Sequence, residues 1–181
     1  MNRLSETRYE RNVLVAYASK YGSTAEIARR ISRILKEEGH QVQLRNASEV
    51  GQVAEFDAVV LGSAVYAGQW RKSAVELMLS SESSLSNIPV WFFSSGPTGE
   101  GKPAELMNGW EFPDSLEQAA RRIEPRSIEF FHGVLDPEQL SLPEKLIVKG
   151  LGAPLGDFRN WEKIEAWANS IAKFLSKKEK V

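Results

Sequence analysis

Cysteine is absent from the 181 residues, and histidine occurs only at His40 and His132. The lack of thiols excludes disulfides, thiol catalysis and zinc ribbons, and it fits a reducing cytoplasm. A zinc or haem centre would have to be built mostly from carboxylates, so we predict no metal site. A redox role would therefore need an organic cofactor.

Long apolar runs and an excess of charge of either sign are also lacking. No run approaches the ~20 apolar residues of a membrane-spanning helix, and residues 1–11 are polar and charged, unlike a signal peptide. The formal net charge of -1 gives no reason to expect nucleic-acid binding. We therefore predict a cytoplasmic protein that begins with a polar arm at 1–11.

Apolar segments alternate with amphipathic ones along the rest of the chain. The apolar runs are typical of strands buried in a parallel sheet, and they end in small or polar residues. Segments of helical periodicity join one run to the next. Strands are predicted at 12–18, 41–45, 57–63, 88–94 and 127–131. Helices are predicted from the loop at 19–24 to Gly39, and at about 72–79, 114–123 and 160–177.

This rhythm predicts an α/β fold, a doubly wound five-stranded parallel sheet with helices on both faces. We expect a single domain over 12–177. Residues 135–157 interrupt the pattern as an insertion between the last strand and the last helix, and residues 140–151 within it are predicted to form a short helix. Ligands of such sheets lie beyond the carboxyl ends of the strands, where the strand order reverses.

The loop Ser-Lys-Tyr-Gly-Ser-Thr at 19–24 joins the first strand to the first helix. A helix N-terminus offers unpaired N–H groups and a partial positive charge, which favour a phosphate. Gly22 lets the backbone approach a ligand closely, and the hydroxyls of the loop are further donors. The alternative is an ordinary helix start, because Ser23 and Glu26 match a capping box.

Two further strand ends carry loops of small residues, at 62–68 and 94–99. The segment from Gly96 to Lys102 nearly matches the phosphate loop of nucleotide hydrolases, but Pro103 stands where the metal-binding hydroxyl belongs. Pro103 has neither a hydroxyl nor an N–H group, so nucleotide hydrolysis is not expected.

The loop at 19–24 resembles the flavodoxin phosphate loop, whose pattern is Ser/Thr-x-Thr/Tyr-Gly-x-Thr after the first strand. The resemblance implies non-covalently bound FMN, with backbone rather than side-chain contact at Tyr21 and with Tyr66 near the isoalloxazine ring. The alternative for Tyr66 and Trp70 is that both are partly exposed aromatics packed on a helix. The implied cofactor residues are Ser19, Lys20, Tyr21, Gly22, Ser23, Thr24, Ala64, Val65, Tyr66, Ala67, Gly68, Ser95, Gly96, Pro97, Thr98 and Gly99; no catalytic residue is assigned.

The segments 142–150 and 156–161 resemble the corresponding region of menaquinone-type protoporphyrinogen dehydrogenases and their flavodoxin-domain relatives. This resemblance implies an FMN-dependent oxidoreductase with a porphyrinogen or quinone substrate. The alternative is a flavodoxin-type electron carrier that serves a redox partner protein. A third interpretation, a flavodoxin fold that has lost its cofactor, is disfavoured by the intact phosphate loop.

The insertion at 135–157 combines several leucines with Lys145 and Lys149, which stand four residues apart. Such a surface suits peripheral contact with the anionic inner membrane surface, where quinones are found. The alternatives are packing over the sheet edge and a homodimer contact. We expect the insertion to cover the substrate side of the flavin, whereas His132 is expected to be structural.

Overall fold

Six strands build the main sheet of the computed structural model, which describes residues 9–177. They are β1 (Asn12–Ala18), β2 (Gln41–Asn46), β3 (Ala58–Tyr66), β4 (Gln69–Trp70), β5 (Val90–Ser95) and β6 (Ser127–Phe131). Five are parallel in the order β2-β1-β3-β5-β6, and β4 pairs antiparallel with the end of β3. The predicted doubly wound sheet is therefore confirmed, and its order reverses at β1 and β3.

The N-terminal arm predicted at 1–11 lies mostly outside the described residues. Only residues 9–11 of that arm are described, and they enter β1 without regular structure.

Seven helices are described within residues 9–177, and they lie on both faces of the sheet. They are α1 (Ser23–Glu37), α2 (Lys72–Ser80), α3 (Glu82–Leu85), α4 (Pro103–Leu106), α5 (Glu117–Ile123), α6 (Leu142–Leu151) and α7 (Trp161–Leu175). Short 3-10 turns occupy Ala47–Glu49 and Asp114–Leu116, so the helix predicted at 114–123 begins with a 3-10 turn.

Two apolar clusters, one on each face of the sheet, form the core. Alternate residues of β1 point to opposite faces: Val13 packs with α1 and α7, whereas Leu14 packs with α2 and α5. On the α1 face, the Phe93 ring fills the space in front of Gly62, where a Cβ atom would lie 2.0 Å from a ring carbon. Residue 62 therefore has to be a glycine for these layers to pack.

The predicted insertion forms a loop that is closed at its base. Its ends form β7 (Val134–Leu135) and β8 (Gly156–Asp157), which pair antiparallel. Between them lies α6, begun by a capping box at Ser141 and Glu144 and containing no buried residue. We call residues 135–157 the excursion. No helix within residues 9–177 is long and apolar enough to cross a membrane.

Candidate functional site

A cavity of about 550 Å³ opens at the carboxyl ends of the strands, on the edge where the strand order reverses. One side is formed by the loops that follow β1, β3 and β5. The opposite side is formed by the excursion, whose Leu140, Ile147, Val148 and Leu151 face the cavity. The site is thus a slot between loops of small residues and an apolar wall.

The predicted cofactor residues divide into those that line this cavity and those that do not. The lining residues are Tyr21, Ser23, Ala64, Val65, Tyr66, Ala67, Ser95, Gly96, Pro97 and Thr98. Ser19, Lys20, Gly22, Thr24, Gly68 and Gly99 do not line it. All sixteen stay predictions as FMN contacts.

The loop at 19–24 reaches α1 through a left-handed glycine. Gly22 is the N-cap, with φ of +91°, and its N–H donates to Ser19 Oγ at 3.0 Å. No side chain caps α1, so the capping box suggested for Ser23 and Glu26 is wrong. The first amides of α1 have no partners within the helix, and the space in front of Gly22 is open to 4 Å. This arrangement offers backbone donors to an anion.

A buried hydroxyl pair joins the first loop to the third. Thr24 Oγ1 and Ser95 Oγ lie 2.8 Å apart, and both residues are buried. Thr24 thus fixes the start of α1 against the end of β5, and its side chain points into the protein rather than into the cavity.

The second loop is a tight turn between β3 and β4. Ala67 and Gly68 both have positive φ, and Trp110 Nε1 donates to the Gly68 carbonyl at 3.1 Å. Tyr66 lies at the rim of the cavity, and burial raises the pKa of its hydroxyl. Trp70 is buried and donates to Ser94 Oγ at 2.8 Å, so it is not the partly exposed aromatic of the alternative interpretation.

His132 supports the third loop from outside the cavity. Its Nδ1 lies 3.1 Å from the Pro97 carbonyl oxygen and its Nε2 lies 3.0 Å from the Gly101 carbonyl oxygen. Both contacts shape the loop, and His132 does not line the cavity. Lys102 is 82% exposed and pairs with Glu105 at 3.6 Å, so it does not join the site either.

Glu144 of α6 reaches across to the first loop. Its carboxylate accepts hydrogen bonds from the Tyr21 hydroxyl at 2.5 Å and from the Lys20 ammonium group. It also accepts from the Ser141 N–H at 3.0 Å, within the capping box. The hydrogen bonds from Lys20, Ser141 and Tyr21 hold the pKa of Glu144 well below its ordinary value, and Glu144 raises that of Lys20.

Sequence reasoning missed this contact of Glu144. The local signal was present, because Ser141-x-x-Glu144 is a capping-box pattern. The partners, however, are more than 120 residues away along the chain, as the separation of 124 between Lys20 and Glu144 illustrates. Only the tertiary fold brings them together.

Arg159 is the second functional candidate to which the sequence assigned no role. Its side chain is only 7% exposed and lies between Asp157 and Glu26, with N···O distances of 2.6 Å to each. It also donates to the Ser23 carbonyl at 3.3 Å. Burial lowers the pKa of Arg159, but the hydrogen bonds to Asp157 and Glu26 outweigh it and raise the pKa. This cation fixes the base of the excursion to the first turn of α1.

Comparison with known proteins supports the same fold. A sequence model of the family described as "Flavodoxin domain" matches residues 14–158. A search among curated proteins finds no match.

Solved structures share the fold at low sequence identity. A flavodoxin from the domain Archaea has 13% identity and a TM-score of 0.58, over 92% of this chain and 99% of that chain. A short-chain flavodoxin associated with a PDU bacterial microcompartment has 14% identity and a TM-score of 0.62, over 91% of this chain and 99% of that chain. The rubredoxin oxygen:oxidoreductase of Desulfovibrio gigas has 15% identity and a TM-score of 0.60, over 94% of this chain but 37% of that chain.

FMN is the cofactor of flavodoxin-domain proteins, and the residues present fit it. The open space before Gly22 and the first amides of α1 suit the phosphate. The slot between residues 64–67, residues 95–98 and the apolar wall of α6 suits a flat ring system.

Proposed function

Because this chain belongs to the flavodoxin domain family, we propose that it is an FMN-dependent oxidoreductase whose electron acceptor or donor is a large apolar molecule, a quinone or a porphyrinogen. When bound, FMN supplies reversible electron transfer. The chain's own residues bind and orient the cofactor and limit access to it.

The loops that follow β1, β3 and β5 have different roles in binding FMN. The amides at the start of α1 hold the phosphate, assisted by the helix dipole. Residues 64–67 and 95–98 flank the ring, and the buried Thr24–Ser95 pair keeps the first and third of these loops in register. Arg159 neutralises Glu26 beside the phosphate end and so reduces repulsion of the anion.

The excursion is the observation that carries the proposal. Opposite the loops lie Leu140, Ile147, Val148 and Leu151, so this side of the slot is mainly apolar, and its polar lining residues are Asp136, Gln139 and Glu144. An apolar wall favours a hydrophobic reactant over a water-soluble one. The near-neutral net charge of -1 also offers little electrostatic steering for a charged redox partner protein.

A turnover assay with a purified substrate and a purified electron acceptor tests this function. We expect the purified holoprotein to oxidise protoporphyrinogen with a short-chain menaquinone analogue as acceptor. Deleting 139–150 and bridging the gap with glycines should spare FMN binding and reduction by dithionite, but should abolish turnover. The dithionite step is the internal control, because it needs the flavin and not the excursion.

Full turnover by a folded, FMN-loaded deletion protein would contradict the access role. Such a result, together with electron transfer to a protein acceptor, would support the flavodoxin-type electron carrier instead.

The outward face of α6 leads us to propose peripheral contact with an anionic membrane surface. Leu142 and Leu146 are 77% and 73% exposed and stand one turn apart, beside exposed Lys145 and Lys149. Apolar side chains flanked by cations suit a bilayer interface. Contact there would bring the open slot close to lipid-dissolved quinones.

Vesicle co-sedimentation measures this contact. The protein should bind vesicles that contain anionic lipid more strongly than neutral ones, and K145E/K149E should abolish the difference. The matched control is K173E/K177E, an equal charge change at the same spacing near the end of α7. A homodimer that the first double variant disrupts, without any vesicle binding, would instead assign this surface to a second copy.

A further inference from the structure

Lys20 and Tyr21 direct their side chains toward α6; both residues were predicted to contact the cofactor phosphate, Tyr21 through its backbone. The ammonium of Lys20 and the hydroxyl of Tyr21 both donate to the Glu144 carboxylate. Lys20 does not line the cavity. Their side chains therefore connect the first loop to the excursion, and the loop's amides remain available for an anion. We call Lys20, Tyr21 and Glu144 the latch.

The two ends of the excursion are held to the protein in different ways. At its base, β7 pairs with β8, and the nearly buried Arg159 ties Asp157 to the first turn of α1. At its tip, α6 contains no buried residue. Within residues 9–177, the hydrogen bonds and ion pairs between α6 and residues outside the excursion all end on Glu144. The base is thus fixed, whereas the tip depends on one carboxylate.

The latch holds α6 over the side of the cavity that the flavin ring would fill. Ile147 and Leu151 line this cavity but are still 60% and 76% exposed, because the space in front of them is open. A ring bound against residues 64–67 and 95–98 would be covered by these side chains. The ring would enter and leave past these side chains, and the hydrogen bonds from Lys20 and Tyr21 to Glu144 hold α6 in this position.

We infer that Glu144 is a positioning residue that closes α6 over the flavin by binding Lys20 and Tyr21, and that its release limits the rates at which FMN enters and leaves. The latch lies on the phosphate loop but acts on the ring, so it does not distinguish FMN from riboflavin. The inference rests on FMN binding and not on the proposed electron acceptor.

Flavin binding kinetics test the latch without any turnover. E144Q keeps the size of the side chain and removes its charge. In stopped-flow fluorescence, it should raise the association and dissociation rates of FMN by about three- to tenfold, and those of riboflavin by the same factor. Unchanged rates would overturn the inference. A change confined to FMN would also overturn it, because Glu144 would then act on the phosphate.

Two control variants distinguish loss of the latch from two other effects of E144Q, the loss of a negative charge and the weakening of the α6 cap. E138Q removes an exposed carboxylate from the same excursion, outside the cavity lining, and should leave the rates unchanged. S141A weakens the cap of α6 without removing a latch residue, and should change the rates less than E144Q does. If either control reproduces E144Q, the latch is wrong.

A double-mutant cycle and proteolysis give independent readouts. Y21F removes one donor of the latch and keeps its backbone, so its effect should not add to that of E144Q. Trypsin should cut the apoprotein of E144Q after Lys145 and Lys149 faster than it cuts the wild type, as measured by mass spectrometry. Additive effects of Y21F and E144Q on the flavin binding rates would contradict a closed α6. Unchanged tryptic cleavage after Lys145 and Lys149 would contradict it as well.

Discussion

Gly22 and Gly39 stand at the two ends of α1 and have nearly the same φ, +91° and +95°. At neither position would an added Cβ meet another atom within 4 Å. What glycine supplies at both is therefore freedom to adopt the left-handed region. Only Gly22, however, stands before the amides where an anion would approach.

We expect G22A and G39A each to lower the free energy of unfolding by about 1–2 kcal/mol, since both place a side chain in left-handed backbone. Only G22A should also weaken FMN more than riboflavin, because its new methyl group enters the space before the α1 amides. Urea titration measures the first effect and fluorescence titration the second. Equal losses of both flavins in G22A would remove the phosphate-loop assignment.

At the residue scale, the sequence predicted the loops better than the direction of their side chains. The small residues at 19–24, 64–67 and 95–98 follow strands, and strand ends can be recognised from local patterns. The hydroxyl of Thr24 was expected at the phosphate, yet it is bonded to Ser95, 71 residues away. A contact at that separation depends on strand order and register, which no local pattern contains.

At the scale of elements, α6 is unusual because its position depends on a few polar contacts. The sequence predicted a helix within 140–151, and the structure has Leu142–Leu151. Its capping box is a local feature and was therefore recognisable in principle. The antiparallel pairing of β7 with β8 was not predicted, because two-residue strands carry no periodicity.

The charge state of Glu144 gives α6 a defined pH dependence. The pKa of Glu144 is lowered in the folded protein, mainly by the hydrogen bond from Lys20. The carboxylate therefore stabilises the fold at pH values above 4.5, the ordinary pKa of this group, and the stabilisation is lost as the pH falls below 4.5. The stability difference between wild type and E144Q should thus be constant from about pH 5 to 8 and shrink in more acidic solution. Urea titrations across this range measure it.

If the stability difference between wild type and E144Q grew in acidic solution, the predicted direction of the pH dependence would be wrong. E138Q serves as the control for removing a negative charge from the excursion.

At the scale of the whole molecule, two apolar clusters separated by the sheet make the fold predictable. Runs buried on both faces and helices with one apolar stripe indicated the layers and the parallel strands. The structure confirms this architecture in the order β2-β1-β3-β5-β6. The fit between layers was not predictable, as the ring of Phe93 over Gly62 illustrates.

Gly62 should therefore be sensitive to the smallest enlargement. We expect G62A to lower the free energy of unfolding by about 1–3 kcal/mol, because its Cβ would lie 2.0 Å from the Phe93 ring. Replacing Phe93 by leucine makes room, so the loss in G62A/F93L should be smaller than the sum of the two single losses. Additive losses would show that the ring is not the obstacle.

The bonds among the cavity loops have a thermodynamic consequence. Thr24 is joined to Ser95, the Gly133 N–H to the Pro97 carbonyl, and Trp110 to Gly68, all within the protein itself. Such a preorganised apoprotein loses little conformational entropy when it binds a ligand. Calorimetry should therefore show a modest negative heat-capacity change that reflects the apolar area of the ring and its α6 wall, without the large value that accompanies coupled folding.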